Sequence, residues 1–155
     1  MTDLYPGVES GPAGSEAIVV NKTAAAAIDI GWVVKDTTAG TGEYDARVTT
    51  TTTTTDPLRG VAVGGDARGT YGGTSTKAAA AAGDGIQIAE FGRVKIQVDG
   101  STSAISIGSP IGASAIKAGY GAVAAAGGYV VARALQASTG YGDYILCDIV
   151  REGIL

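Results

Sequence analysis

The stretch that decides the fold runs from residue 83 to residue 150 and holds four segments: GDGIQIAEFGRVKIQVDG (83–100), AISIGSPIG (104–112), GYVVARALQAS (128–138) and DYILCDIV (143–150). In the first segment Ile86 and Ile88 alternate with polar or small residues, and so do Val94, Ile96 and Val98. Such alternation places one side of a strand in a core and the other in water. Because glycines separate the segments, the stretch predicts short β-strands joined by turns. It carries no recognisable catalytic motif.

The composition agrees with a β-rich domain built from small side chains. The 155 residues include 25 glycines, and hydrophobic residues make up 45% of the chain but aromatic residues only 6%. A chain of this length can bury a core without help from metals or disulfides. The glycines follow no G-X-Y period, so they indicate turns between short strands and not collagen.

The charge pattern argues against two classes of partner. The net charge is −4, and the lysines and arginines are scattered singly, whereas a nucleic-acid-binding protein needs a clustered basic face. No apolar run approaches the roughly 20 residues of a membrane-spanning helix, and residues 1–10 lack the pattern of a signal peptide. We therefore expect no nucleic acid and no membrane among the partners.

Catalytic chemistry has few candidate residues. The chain has no histidine, which removes Ser-His and Cys-His catalysis and histidine-ligated zinc. The single cysteine, Cys147, lies in YILCDIV and is predicted to be a buried strand thiol. An enzyme would need a carboxylate pair or a carboxylate metal site, and alternation along one strand would not bring Asp143, Asp148 and Glu152 together. We expect no catalytic residue, no metal site and no cofactor.

The first 16 residues, MTDLYPGVESGPAGSE, show neither helical nor strand periodicity and predict an extended N-terminal arm before a single β-rich domain at residues 17–155. An arm of this kind can lie along a neighbouring protein by adding backbone hydrogen bonds to a strand edge. The alternative is a tail packed on its own domain. The candidate contact residues of the arm are Leu4, Tyr5, Pro6 and Val8.

Three aromatic residues of the domain are further candidates for contacts with a partner or between subunits. Trp32 is the only tryptophan, and we interpret it as a core or subunit-contact anchor in preference to a ligand platform. Tyr141 and Tyr144 flank the last predicted turn, and tyrosine is enriched at interfaces. The alternative for both tyrosines is closing one end of a barrel.

Two loops and two turns complete the local predictions. Residues 49–55 are seven threonines, predicted to be either an edge strand that pairs between subunits or a solvated segment. Residues 64–77 form a glycine-rich loop without a phosphate-binding pattern. The alternation changes phase at residues 91–92, which indicates a bulge or tight turn. Residues 99–100 (Asp-Gly) favour a tight hairpin turn.

A short internal match links two distant parts of the chain. Residues 27–34 (AIDIGWVV) and 104–111 (AISIGSPI) share the pattern A-I-x-I-G-x-x-[VI], and a valine-rich segment follows each of them, at 60–63 and 128–135. The match predicts two related strand-corner-strand units that build the two halves of a small barrel. Chance similarity in so simple an alphabet is the alternative.

The order of these segments resembles the small capsid decoration (cement) proteins of tailed phages and head-tailed archaeal viruses. The resemblance rests on residues 78–100, 107–111, 128–138 and 145–150, and covers about two-thirds of the chain from residue 56 onward. It implies a mostly β domain, a small β-barrel or β-tulip-like fold, with an extended N-terminal arm. It also implies binding to the major capsid protein on the outer surface of an assembled shell, often as a homotrimer made in the host cytoplasm.

A second function stays open at this point. A tail-fibre or receptor-binding module that recognises host glycans would need exposed aromatic residues near polar groups, and Tyr71, Tyr120 and Tyr141 are the candidates. Decoration would instead give hundreds of copies per virion, whereas a tail module would give a handful. The threonine run and the 64–77 loop are not features that the resemblance predicts.

Overall fold

The computed structural model describes residues 17–37, 47–66 and 78–155, and all regular structure within them is β. The prediction of a mostly β barrel domain is confirmed. The strands, in chain order, are β1 (Ile18–Ala24), β2 (Ile28–Asp29), β3 (Val33–Thr37), β4 (Arg47–Thr49), β5 (Gly60–Gly65), β6 (Ala78–Ala80), β7 (Gly85–Asp99), β8 (Pro110–Ala113), β9 (Gly121–Val123), β10 (Tyr129–Ala134) and β11 (Tyr141–Ile154). Within these ranges no helix is long and apolar enough to cross a membrane.

Five strands close the first barrel, in the order β1, β4, β3, β5 and β7. The barrel closes where β1 pairs antiparallel with the N-terminal half of β7, from Ile18 opposite Phe91 to Thr23 opposite Gly85. Closure removes exposed sheet edges, which is how small all-β proteins avoid edge-to-edge aggregation. β5 is buried along its whole length, which explains its continuous run of small and apolar residues.

The second barrel uses the C-terminal half of β7 with β11, β10, β8 and β9. Here β7 pairs antiparallel with β11, from Asp99 opposite Tyr141 to Gly92 opposite Ile149. A single parallel pair, Val98 with Gly121, closes the ring.

β7 therefore belongs to both barrels and changes partners at its middle. Gly92 lies at this point with a φ of +96°, a backbone conformation that residues with a side chain rarely adopt. The bulge predicted at residues 91–92 lies where the strand leaves one barrel and enters the other, and the register against β1 shifts there. The predicted change of phase does not occur: Ile86, Ile88, Val94, Ile96 and Val98 are all buried on one alternation, so the predicted pair of strands is one strand of 15 residues.

The two barrels repeat one topology in the same chain order. In the first, β3 pairs antiparallel with β4 and β5, and β4 pairs parallel with β1. In the second, β8 pairs antiparallel with β9 and β10, and β9 pairs parallel with β7. The short β2–β6 ladder has its counterpart in the isolated bridge between Ile105 and Ser138.

The internal sequence match marks equivalent positions of this repeat. Gly31 and Gly108 both have a φ of +86° and precede β3 and β8, the equivalent strands of the two barrels. The Gly31 N–H donates to Ala62 O at 2.8 Å, and the Gly108 N–H donates to Ala134 O at 2.7 Å. The two matched segments are therefore equivalent turns, one in each barrel.

Two apolar clusters form the core. The smaller lies in the first barrel and includes Ile28, Val34 and Ile88. The larger combines side chains of the second barrel with Val33 and Val61 from strands of the first. Val33 belongs to the larger cluster and its neighbour Val34 to the smaller one, so β3 is packed on both of its faces.

One local prediction needs correction, one is located by the structure, and two fall wholly or mostly outside the described ranges. The tight hairpin at residues 99–100 is wrong: β8 pairs with β9 and β10 and not with β7. The Asp99 carboxylate accepts hydrogen bonds from Ser101 and Thr102, so the turn directs the chain away from β7. Of the seven threonines, Thr49 ends β4 and Thr51 is buried, with its hydroxyl donating to Asp56 at 2.9 Å. Residues 1–16 and most of the 64–77 loop lie outside the described ranges.

Candidate functional site

An aromatic cluster lies at the seam where the first barrel meets the second. It is formed by Trp32, Tyr120, Tyr141 and Tyr144, with Gln97 beneath them and Lys117 at the rim. The Tyr120 ring lies 6.2 Å from the Trp32 ring in an edge-to-face arrangement and 5.2 Å from the Tyr141 ring in a tilted one. These are ordinary separations for interacting aromatic pairs.

Trp32 reaches the cluster because the chain turns sharply at Gly31, just before β3. The Gly31 carbonyl accepts a hydrogen bond from the Gln97 N–H of β7 at 2.9 Å, and the Val33 N–H donates to Gly119 O at 2.8 Å. The indole lies against Gly119, where a Cβ would come within 2.5 Å of the ring. Gly119 also has a φ of +91°. Both the space and the backbone conformation at this position therefore suit glycine.

Gln97 organises the polar side of the cluster. Its side chain is on the opposite face of β7 from Val94, Ile96 and Val98, yet the residue is only 5% exposed. The Trp32 Nε1–H donates to Gln97 Oε1 at 2.8 Å, and Gln97 Nε2 donates to Gly142 O at 3.2 Å. The Tyr144 hydroxyl lies 3.3 Å from both Gln97 Oε1 and Ile30 O. A buried amide needs hydrogen-bond partners, and the Gln97 amide finds them in both barrels.

The outer part of the cluster is open to solvent. Tyr141 is 55% exposed, and the Lys117 ammonium lies 5.8 Å from the Trp32 ring and 6.0 Å from the Tyr120 ring. Burial raises the pKa of Tyr120 and raises that of Tyr144 to about 12. Both phenols therefore stay neutral at physiological pH. The patch can bind a partner by stacking, cation–π contact and hydrogen bonds.

The single cysteine, Cys147, is buried within the fold. Burial and the neighbouring Asp148 raise the pKa of the Cys147 thiol to about 12, as expected for the buried strand thiol that was predicted. Among the residues that the structure describes, no three acidic or cysteine side chains lie close enough together to hold a metal ion.

A shallow groove of about 160 Å³ lies beside the β8–β9 hairpin of the second barrel. Its walls are mostly small apolar side chains, with Ile116 and Tyr129 the largest. Asp99, its one acidic group, already accepts four hydrogen bonds from Ser101 and Thr102. The groove therefore offers a ligand little polar recognition.

The structure brings the predicted contact residues of the domain together. Trp32, Tyr141 and Tyr144 share the aromatic cluster; Trp32 and Tyr144 serve the seam between barrels and Tyr141 faces solvent. Leu4, Tyr5, Pro6 and Val8 lie outside the described residues.

Sequence reasoning missed Gln97, Gly119 and Lys117. Gln97 occupies a position that alternation assigns to water, so its burial follows only from the docking of the other barrel. The small residues flanking Tyr120, Gly119 and Gly121, are the one signal that could have indicated a close packing site.

Comparison with known proteins yields a likeness in fold. No protein-family model and no curated protein sequence matches the chain. Among solved structures, the chain is similar to the N base of the head fiber gp8.5 of bacteriophage phi29, with 14% identity and a TM-score of 0.54. The likeness covers 89% of this chain and 97% of that one. At this identity it supports the all-β barrel fold and leaves function to be argued separately.

Proposed function

We propose that this chain is a structural protein of a virion that binds the outer surface of an assembled icosahedral capsid. The observation that carries the proposal is the fold likeness to the base of a phage head fiber, which extends over 89% of this chain and 97% of that one. Most of this chain therefore has a fold known from a phage head fiber.

Charge and chemistry support this role. The net charge of −4 and the absence of histidine suit a protein that faces solvent and other proteins, and the decoration-protein resemblance covers the same strands. A protein that binds the assembled shell but not its free subunits stabilises the shell by mass action. The role thus requires a contact surface and no catalytic step.

The aromatic cluster is the surface that we assign to the shell. Tyr141 is more than half exposed and lies beside the half-buried Tyr120, so it can be buried on binding at little conformational cost. Trp32 and Gln97 hold the cluster from below, which makes it a rigid contact.

Co-sedimentation with capsids tests the proposal. Purified full-length chain is mixed with mature shells of the virus that encodes it, or with unassembled major capsid protein, and binding is measured. We expect binding to shells only, at hundreds of copies per particle. Absence of binding to shells, or equal binding to free subunits, would contradict the proposal.

A matched pair of variants locates the contact. Tyr141→Ser should weaken binding to shells while the protein stays folded. Phe91→Ser is the control, because Phe91 is 54% exposed, almost the same as Tyr141, but lies away from the cluster. Equal effects of the two variants would remove the aromatic cluster from the interface.

The same cluster supports one second candidate, a module that recognises host glycans. The ring pair of Tyr120 and Tyr141, with Lys117 at its rim, is the kind of aromatic surface on which sugars stack. Tyr71, the third candidate residue, lies outside the described ranges. A handful of copies per virion, together with loss of cell binding in Tyr141→Ser, would favour this function over decoration.

A further inference from the structure

The repeat places two equivalent turns at different levels of exposure. We call residues 30–32 the first turn and residues 107–109 the second turn. The first turn is covered by the second barrel: Gly31 O accepts from the Gln97 N–H at 2.9 Å, and the Tyr144 hydroxyl donates to Ile30 O at 3.3 Å. The Ile30 side chain packs against the core cluster of its own barrel. Within one chain, the barrels therefore meet where this turn of the first barrel contacts β7 and the β8–β9 loop of the second.

The second turn has the same φ at its glycine, and within the part of the chain that the structure describes it is open to solvent. Ile107, which occupies the position of Ile30, is 72% exposed. A Cβ added to Gly108 would meet nothing within 4 Å, whereas one added to Gly31 would lie 2.7 Å from the Tyr144 ring. Gly108 O accepts from Arg133 Nη1 at 3.2 Å, and a carbonyl oxygen has a second lone pair. An apolar tip and an available acceptor are therefore presented to solvent.

The first barrel has the face on which such a turn would sit. The first turn contacts Gln97 of β7. Gln97 immediately precedes Val98, which pairs with Gly121 of β9, and lies opposite Tyr144 of β11. Thr23 occupies the equivalent position in the first barrel. It immediately precedes Ala24 of β1, which pairs with Val48 of β4, and it lies opposite Gly85 of β7. Thr23 and Gly85 are both half-buried, and Asp66 bonds the Gly85 N–H and carbonyl. They form the equivalent face, and within the described residues no other barrel lies against it.

We propose that the second turn of one copy docks on the Thr23–Gly85 face of another copy, so that the chain assembles head to tail. The occupant is a second copy of this chain because the internal seam already joins one barrel of this topology to the next through the same turn. A contact of this kind uses two different surfaces and closes into a ring where the rotation between units permits. The proposal does not depend on capsid binding.

The sequence makes this contact weaker than the internal seam. Ser109 stands where the first turn has Trp32, and Pro110, which has no N–H, stands where Val33 donates to Gly119 O. The contact therefore depends on burial of Ile107 and on the Gly108 carbonyl. We expect assembly that responds to concentration, unlike the permanent seam within the chain.

Analytical ultracentrifugation of the full-length protein over a dilution series gives the first test. We expect an oligomer that dissociates on dilution and that Ile107→Asp converts to monomer. Ile116→Asp is the control, because Ile116 is 65% exposed in the same barrel but outside the turn, and it should leave the oligomer intact. A wild-type protein that is monomeric throughout, or an Ile107→Asp variant that assembles like wild type, would overturn the proposal.

Cross-linking between copies identifies the docking face. Ile107→Cys and Thr23→Cys proteins are mixed and treated with a short bifunctional maleimide; native Cys147 is fully buried and should contribute little background. We expect a cross-linked dimer in the mixture, well above the yield when Ile116→Cys replaces Ile107→Cys. Equal yields from the two mixtures would refute docking by the second turn even if the protein is oligomeric. Because the free protein is used, failure here leaves the capsid proposal standing.

Discussion

At the scale of single residues, Gly119 and Trp32 account for how the barrels meet. Trp32 belongs to the first barrel, Gly119 to a loop of the second, and the indole fits where any side chain at 119 would stand. Gln97 satisfies the indole N–H within the same contact. The seam therefore requires that position 119 carries no side chain, as well as the presence of Trp32 and Gln97.

Gly119→Ala should destabilise the protein more than Gly127→Ala. Both glycines have positive φ, +91° and +81°, so both variants carry backbone strain, but only at position 119 does the new Cβ meet the Trp32 ring. Overpacking of this kind costs about 1–3 kcal/mol, which is the expected difference between the two variants. Urea unfolding followed by fluorescence of the single tryptophan measures it. Equal free energies of unfolding would mean that the Trp32 ring moves aside for the added methyl group without loss of stability.

Cys147 should be unreactive towards a thiol reagent at pH 8 in the folded protein and reactive in urea. Its folded pKa of about 12 lies above the ordinary value of 9.0, so the folded state keeps the proton longer than the unfolded state. This contribution to stability is complete below pH 9 and is lost as the pH rises towards about 12. Stability measured against pH should fall less steeply in this window for Cys147→Val. Rapid labelling of the native protein would contradict the account.

Residue roles were only partly predictable from the sequence. Trp32 as a contact anchor and Cys147 as a buried thiol follow from residue type and local pattern. Gln97 does not, because strand alternation assigns it to solvent and only the docked turn of the other barrel buries it. A local sequence pattern carries no information about contacts between segments that are distant in the chain.

At the scale of elements, β7 determines the architecture. Its N-terminal half pairs with β1 and β5, and its C-terminal half pairs with β11. The alternating residues predicted both halves correctly as strand. The Asp-Gly pair at residues 99–100 predicted a hairpin wrongly, because the Asp99 side chain is used by Ser101 and Thr102 to lead the chain elsewhere.

Two of the ion pairs that link neighbouring strands should differ in their contribution to stability. Arg59, at the start of β5, contacts Glu90 of β7, whose side chain is 18% exposed, and lies 3.8 Å from Asp36 of β3. Arg133 of β10 pairs with Glu152 of β11 at 2.5 Å, but both side chains are more than a third exposed. Solvent screens the second pair more strongly.

Glu90→Gln should therefore cost about 1–3 kcal/mol of stability, since it leaves a partly buried guanidinium with a weaker partner. Glu152→Gln should change the free energy of unfolding within experimental error. Thermal and urea unfolding of both variants, at low and high salt, measure the contrast. A larger loss in Glu152→Gln would reverse this assignment.

At the scale of the whole molecule, one topology occurs twice and shares a strand. The match between residues 27–34 and 104–111 predicted two related units that build the two halves of one barrel. The structure places the units at equivalent turns with the same φ, but each unit belongs to a barrel of its own. Two complete barrels were not predictable, because the second closes through a single residue pair, Val98 with Gly121, that leaves no local pattern.

Deleting residues 1–16 should weaken binding to capsids while leaving the barrels folded. The described strands begin at Ile18, and the pairings among them close both barrels. An arm that adds backbone hydrogen bonds to a neighbour contributes to binding and not to the fold of the domain. Shell occupancy and circular dichroism of the truncated protein measure the two effects. Unchanged occupancy would remove the arm from the capsid contact.

A reconstruction of the virion that encodes this chain is the most direct test of the proposal that it is a capsid-binding structural protein. We predict density for the paired barrels on the outer surface of the shell, repeated over the icosahedral lattice, with the aromatic cluster of Trp32, Tyr120, Tyr141 and Tyr144 against the major capsid protein. Density for the chain only in the tail, or none in the particle, would contradict the account.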